Sequence, residues 1–195
     1  LPSASFPHPE QGDPVTSADS LSTDTQRPVT LTLDGEGGDR APEEIVAGAL
    51  LAASPSLRVL VVGRPGVLEP FLSGRTDANV EVVPSATVIT STMEPAGAVK
   101  NMTDSSIVVG ARTVAEGRSQ GFVSAGSTGA MVAAALLVVK RAGGISRPAI
   151  VTTQPGERGP VVLLDAGANA DCRPEHLFEF GILGAAFART VLGVS

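Results

Sequence analysis

The chain has 195 residues, 43% hydrophobic and 17% charged, with a net charge of -6, which suits one domain with a full core. A net-negative chain with no Trp, no Tyr and only six Phe is a poor phosphate neutraliser and a poor base-stacking platform, which excludes nucleic-acid binding. The single cysteine, Cys172, leaves no intramolecular disulfide, and no Cys/His cluster has zinc spacing; no metal site is expected, and the expected compartment is a reducing one, the cytoplasm.

Leu1 to Pro28 is predicted to be a disordered tail. Pro2, Pro7, Pro9, Pro14 and Pro28 are scattered among Ser, Thr, Asp and Gln, and so few large apolar groups cannot offset the entropy of ordering. From Val29 to Ser195 short apolar runs alternate with helical patterns. The predicted strands are Val29–Leu33, Leu57–Val62, Val80–Val83, Gly121–Ser124, Ala149–Thr152 and Val161–Leu164. Most are near-continuous apolar runs, as expected of strands buried on both faces. The predicted helices are Pro42–Ala53, Ser105–Glu116, Thr128–Arg141 and Pro174–Val191, with Pro42 in a first turn and Asp104 as an N-cap. Repeated strand–helix order with short loops predicts a mostly parallel sheet covered by helices, and a (β/α)8 barrel would need more residues than follow the tail. The longest uninterrupted apolar run, Ala130 to Val139, is about half of what a membrane crossing needs. The chain begins at Leu1 rather than Met and ends at Ser195 just after an apolar helical pattern, so a longer parent product is expected.

Three stretches share one design, an apolar strand running into a glycine-rich loop with a helix following. They are Asp34 to Asp39, Ala125 to Gly129, and Asp165 to Asn169. In open α/β sheets ligands bind beyond the carboxyl ends of strands, where glycine lets backbone approach a ligand and a helix N-terminus offers N–H groups to an anion. The middle loop is the best phosphate candidate: Gly126 and Gly129 bracket Ser127 and Thr128, whose hydroxyls add donors. It is not a Walker loop, because no Gly-Lys-Ser/Thr follows. Gly35, Gly37 and Gly38 also miss the last glycine of a dinucleotide fingerprint, which disfavours NAD. Asp34, Asp39 and Asp165 sit at strand ends, where carboxylates either orient a ligand or cap their own loop. His176, in the first turn of the last predicted helix, is either a general base, an anion ligand or a structural histidine. Cys172 is read as structural, Lys100 as an available cation and Arg112 as a solvated one.

At these loops the sequence resembles the PlsX-type phosphate acyltransferases. The segments that carry the resemblance are Asp34-Gly35-Glu36-Gly37-Gly38-Asp39-Arg40-Ala41-Pro42, Asp104-Ser105-Ser106, Val123 to Ala130, and Leu164 to Leu177. This chain has Gly35-Glu36 where that family usually has Ala-Met, Ser127 where Asn is usual, and Lys100-Asn101-Met102-Thr103 where a basic cluster is usual. The resemblance implies a three-layer α/β/α fold of the phosphotransacetylase and isocitrate-dehydrogenase kind, with no cofactor. It implies transfer of a long-chain acyl group from acyl carrier protein to inorganic phosphate for phospholipid synthesis, by a homodimer that is cytoplasmic or peripherally membrane-associated. On that basis Thr128, Asn169 and His176 are candidate catalytic residues. The phosphate or substrate contacts would be Asp34, Gly37, Gly38, Asp39, Lys100, Gly126, Ser127, Thr128, Gly129, Asp165 and Gly167. The alternatives are a non-catalytic or truncated paralogue that binds acyl carrier protein, and a short-chain enzyme acting on acyl-CoA.

Overall fold

The computed structural model describes residues 28–72, 79–157 and 159–194. The predicted tail, apart from Pro28, lies outside the described residues. Strands β1 (Val29–Asp34), β2 (Leu57–Gly63), β3 (Val80–Pro84) and β4 (Gly121–Val123) form one parallel sheet in the order β3-β2-β1-β4. The chain winds outward from β1 to β3, then returns to lay β4 on the free side of β1. The strand order therefore reverses between β1 and β4, and an open α/β sheet has its ligand crevice beyond the carboxyl ends of such a pair.

β2 shows why these runs are strands. Val59 and Val61 pack in one core with Val46 and Ala49 of α1 (Glu43–Ala52) and Leu68 of α2 (Pro65–Leu72). The alternate residues Leu60 and Val62 pack with Val83 on the other face, where Val109 of α4 (Ser106–Ala115) meets them. A strand covered on both sides has no polar face to keep, hence its unbroken apolar run. Ile107, Val108 and Ala111 of α4 share a further core with Val99 of α3 (Pro95–Asn101) and with Ala130 and Ala134 of α5 (Thr128–Ala134). The result is the expected three-layer α/β/α arrangement. Thr32 of β1 is fully buried yet polar; its hydroxyl meets those of Thr113 at 2.6 Å and Ser119 at 2.9 Å, so the group stays hydrogen-bonded inside the core.

Several sequence expectations need correction. The helix expected over Thr128–Arg141 is α-helical only to Ala134, continues as a π-helical turn over Ala135–Val139, and stops where Lys140 turns to φ 75°. Ser105, not Asp104, is the N-cap of α4, because the Asp104 carboxylate accepts from the Thr87 hydroxyl instead. The strand expected over Ala149–Thr152 is shifted to β5 (Val151–Gln154), since Ile150 is bonded to the Asp165–Ala166 turn. β5 pairs antiparallel with β6 (Val161–Leu164) in a separate two-stranded sheet, backed by α6 (Pro174–Val191). β6 is apolar but not buried on both faces: Val161 and Leu163 are exposed. Helices α2 and α3 were not anticipated. Pro70 inside α2 reads as a breaker, whereas the Glu94-Pro95 start of α3 was a legible signal, an acidic N-cap followed by Pro at the first helical position. Among the described residues no helix is long and apolar enough to cross a membrane.

Candidate functional site

The carboxyl ends of β1 and β4 carry two glycine loops that interlock. Asp34, the last residue of β1, is 1% exposed. Its carboxylate accepts from the Ser124 hydroxyl at 2.7 Å and from the Glu36 backbone N–H at 3.3 Å. Ser124 in turn accepts from the Gly126 N–H at 3.0 Å. This relay ties the loop after β1 to the loop after β4 through one buried carboxylate. The glycines follow from that tie. A Cβ on Gly37 would stand 2.4 Å from Asp34 Oδ2, and one on Gly126 would stand 3.3 Å from the Gly37 Cα. Gly38 has φ 107° and lies against Ala125, a conformation that favours glycine.

Between the loops opens a cleft of about 300 Å³, lined by Gly37, Gly38, Asp39, Gly126, Ser127 and the Val88–Ser91 segment, with Glu36 at its edge. Ser127 caps α5, accepting from the Ala130 N–H at 3.3 Å, and Thr128 follows as an exposed first helical residue. Gly129 is exposed too, and lets Pro95 at the start of α3 approach. The cleft lining thus joins glycine backbone to the hydroxyls of Thr90, Ser91 and Ser127, a polar setting of the kind suited to an oxyanion, with the Gly37 and Gly126 N–H groups already donated to Asp34 O and Ser124 Oγ. Among the described residues no Lys or Arg lines it. Lys100 is exposed in the last turn of α3, away from the lining. Glu36 is a buried acid at this edge, 5% exposed at its side chain, and its carboxylate is filled by Arg64, which donates from Nε at 2.8 Å, Nη2 at 2.7 Å and the backbone N–H at 2.8 Å. That hydrogen bonding and the Glu36 charge raise the Arg64 pKa above its usual value. The Val88–Ser91 wall was not anticipated. Its sequence signal is only a Thr-Ser-Thr hydroxyl run, which does not say what it will face.

The third glycine loop lies elsewhere. It follows β6, so it belongs to the two-stranded sheet, and the parallel sheet predicted from the sequence does not extend to it. Asp165 accepts from the Ile150 N–H at 2.7 Å and the Asn169 N–H at 2.7 Å, so its carboxylate caps its own loop. The Asn169 amide donates to Pro148 O at 2.9 Å and to Asp165 Oδ2 at 3.0 Å, and Gly167 supplies the φ of 105° the turn needs. His176 is 8% exposed and its Nδ1 accepts from the Arg173 N–H at 3.1 Å. None of Asp165, Gly167, Asn169 or His176 lines the Gly37–Gly126 cleft.

Desolvation works against the charge on Asp165, but the bonds from Ile150, Asn169 and Ala168 outweigh it and hold its pKa below the usual value. A group with a depressed folded pKa contributes stability above its unfolded pKa and loses it as pH falls through the folded one. Stability is therefore expected to drop below about pH 4, the ordinary carboxylate range. Asp165→Asn should flatten that acid limb and speed hydrogen exchange at the Ile150 and Asn169 amides. Urea midpoints between neutral and acid pH check the first, and exchange by NMR checks the second; an unchanged acid limb would refute the assignment.

The fatty acid synthesis protein family matches residues 29–195. A phosphate acyltransferase of Moorella thermoacetica is 46% identical over 170 residues, covering 84% of this chain and 49% of that protein. Those of Heliobacterium modesticaldum and Pseudomonas fluorescens are 45% and 41% identical, each over 85% of this chain and 50% of theirs. The chain thus spans about half the length of the curated relatives it matches. Among solved structures, the EutD phosphotransacetylase from Staphylococcus aureus superposes with a TM-score of 0.59 at 23% identity, over 84% of this chain and 53% of that one. That likeness supports the three-layer fold.

Proposed function

The chain belongs to the fatty acid synthesis protein family, and from that premise we propose that it forms the phosphate-holding half of a phosphate acyltransferase. The observation that carries this reading is the interlocked pair of glycine loops at the strand-order reversal, where glycine backbone and the hydroxyls of Thr90, Ser91 and Ser127 line a cleft of about 300 Å³. Inorganic phosphate is held there by the Gly37–Gly38 and Gly126–Ser127 backbone and the Ser127 hydroxyl, with Thr128 and Gly129 just beyond the lining. One phosphate oxygen adds to a thioester carbonyl; the C–S bond breaks, a C–O–P link forms, and the departing thiolate takes up the proton that phosphate loses. Holding phosphate in place removes the orientational cost of a two-body reaction, and the same donors are suited to stabilising negative charge on the transferring group. Because phosphate is itself the nucleophile, no acyl-enzyme is needed. Asn169 and His176 act here by shaping their own loop.

The acyl donor in this reading is long-chain acyl carrier protein, the product serves phospholipid synthesis, and the working form is a cytoplasmic homodimer with peripheral membrane contact. The test is phosphate-dependent release of free carrier protein from palmitoyl-carrier protein. Release that Thr128→Ala or Ser127→Ala reduces by about tenfold or more is expected; release from acyl-CoA alone would instead mark a short-chain enzyme. One observation favours a second reading, a member that binds carrier protein without turnover: acids Glu36 and Asp39 line the cleft and no described cation does. Folded protein without turnover on either donor, yet retained by immobilised carrier protein, would establish it.

A further inference from the structure

Two carboxylates line the Gly37–Gly126 cleft, Glu36 and Asp39, and a third, Asp34, is buried behind Gly37. Among the described residues one cation pairs with any of them, Arg64. The Glu36 side chain has a built seat. It is 5% exposed and lies across Gly63, where a Cβ would stand 3.2 Å from its Cγ and its Oε2. Arg64 sets Nε and Nη2 on Oε1 and its backbone N–H on Oε2. Both carboxylate oxygens are thus occupied from the β2 side. Alongside, the Gly35 N–H donates to Val62 O at 2.8 Å, so the first glycine loop is fastened to the end of β2 by backbone and by this ion pair.

The pairing decides what charge an anion in the cleft meets. A cleft of about 300 Å³ puts any anion within the screening distance, about 8 Å at physiological salt, of a carboxylate in its wall. An unpaired Glu36 there would repel phosphate, and the low-dielectric surroundings of a buried group strengthen that repulsion. Arg64 cancels it from outside the lining, with its own side chain 51% exposed. We infer that Arg64 is a positioning residue for the cleft: through Glu36 it neutralises the wall and seats the Gly37–Gly38 loop, and so sets the affinity for inorganic phosphate. This rests on the phosphate-holding reading of the cleft. It also reconciles acids in the lining with an anionic ligand, since the Glu36 charge is compensated within the protein and Asp39, the other acid, is exposed to screening water.

The test is calorimetric titration of the 195-residue chain with inorganic phosphate, with a urea midpoint for every variant. Arg64→Ala is expected to weaken phosphate binding about tenfold, and the loss should shrink as salt rises. Glu36→Met keeps the buried volume and removes the charge. It should tighten binding about threefold or more, because the Arg64 charge then stands at the cleft edge uncancelled. The double variant, Arg64→Ala with Glu36→Met, should return to within about threefold of the parent. A pair that merely braced the loop would lose affinity in step with stability at every salt concentration, and Glu36→Met would tighten nothing. Weaker binding in Glu36→Met, a salt-independent loss in Arg64→Ala, or a parent chain that takes up no phosphate would each overturn the inference. Opposite shifts in the two single variants with no turnover on any thioester defeat only the acyltransferase reading. Turnover with phosphate affinity unmoved in both variants defeats only this one.

Discussion

Gly37→Ala is expected to abolish phosphate-dependent acyl transfer and to lower stability by about 1–3 kcal/mol. The added Cβ would lie 2.4 Å from Asp34 Oδ2 and 2.8 Å from Ser124 Oγ, closer than real Cβ contacts come. The obstacle cannot swing away into solvent, because Asp34 is 1% exposed and is pinned by Ser124 and the Glu36 N–H. Relief must come from breaking that relay, which leaves a buried carboxylate short of donors. The two loops then separate and the cleft between them loses its shape. Gly126→Ala, whose closest contact would be 3.1 Å, should be milder. Gly48→Ala is the control: it lies inside α1 with nothing within 4 Å of its Cβ position, and should stabilise by about 0.5–1 kcal/mol. Urea midpoints for the three variants, with turnover for the first two, check the ranking. A Gly37→Ala protein as stable and active as the parent would mean that the relay does not hold the site.

Leu68→Ala should carry the largest stability loss, about 2–5 kcal/mol. Leu68 is 0% exposed and joins Val46, Ala49, Val59 and Val61 in the core between α1, α2 and the sheet. Its two methyls also fill the space left by the absent side chains of Gly35 and Gly63, standing 3.0 and 2.9 Å from where their Cβ atoms would be. Truncation opens a void directly beneath Gly35, two residues before Gly37 of the cleft. Leu68→Met keeps the volume and should cost less than about 1.5 kcal/mol. If Leu68→Ala costs no more than Leu68→Met in chemical denaturation, the space has closed by repacking and the packing argument is wrong.

The parallel sheet was readable because its strands write their environment into the chain. Val59 to Val62 have a buried face on each side, so every position is apolar, and the following Gly or Asp marks where the chain leaves the sheet. β5 and β6 use the same apolar alphabet in a different setting. Val161 to Leu164 cannot be told from a central strand by composition, and pairing direction is decided by what comes to lie beside them. The π turn after Ala134 has no local signal either, because Ala-Leu-Leu-Val-Val suits an α-helix equally well.

The same division runs through the site. Local composition determined that Gly37, Gly38 and Gly126 would form turns at strand ends and that a helix would open at Thr128. Backbone preferences and side-chain-to-backbone bonds act within a few residues, so they are visible in one dimension. Which loops meet is a different question. Asp34 finds Ser124 only because β4 returns beside β1, ninety residues on in the chain. Asp165, in a segment of equal glycine content, finds Ile150 and Asn169 because β6 turns back on β5. Strand order alone decided which carboxylate ties a cleft together and which merely closes its own turn. That order is set by the burial of both sheet faces at once, a property of the whole packed chain and of no single segment.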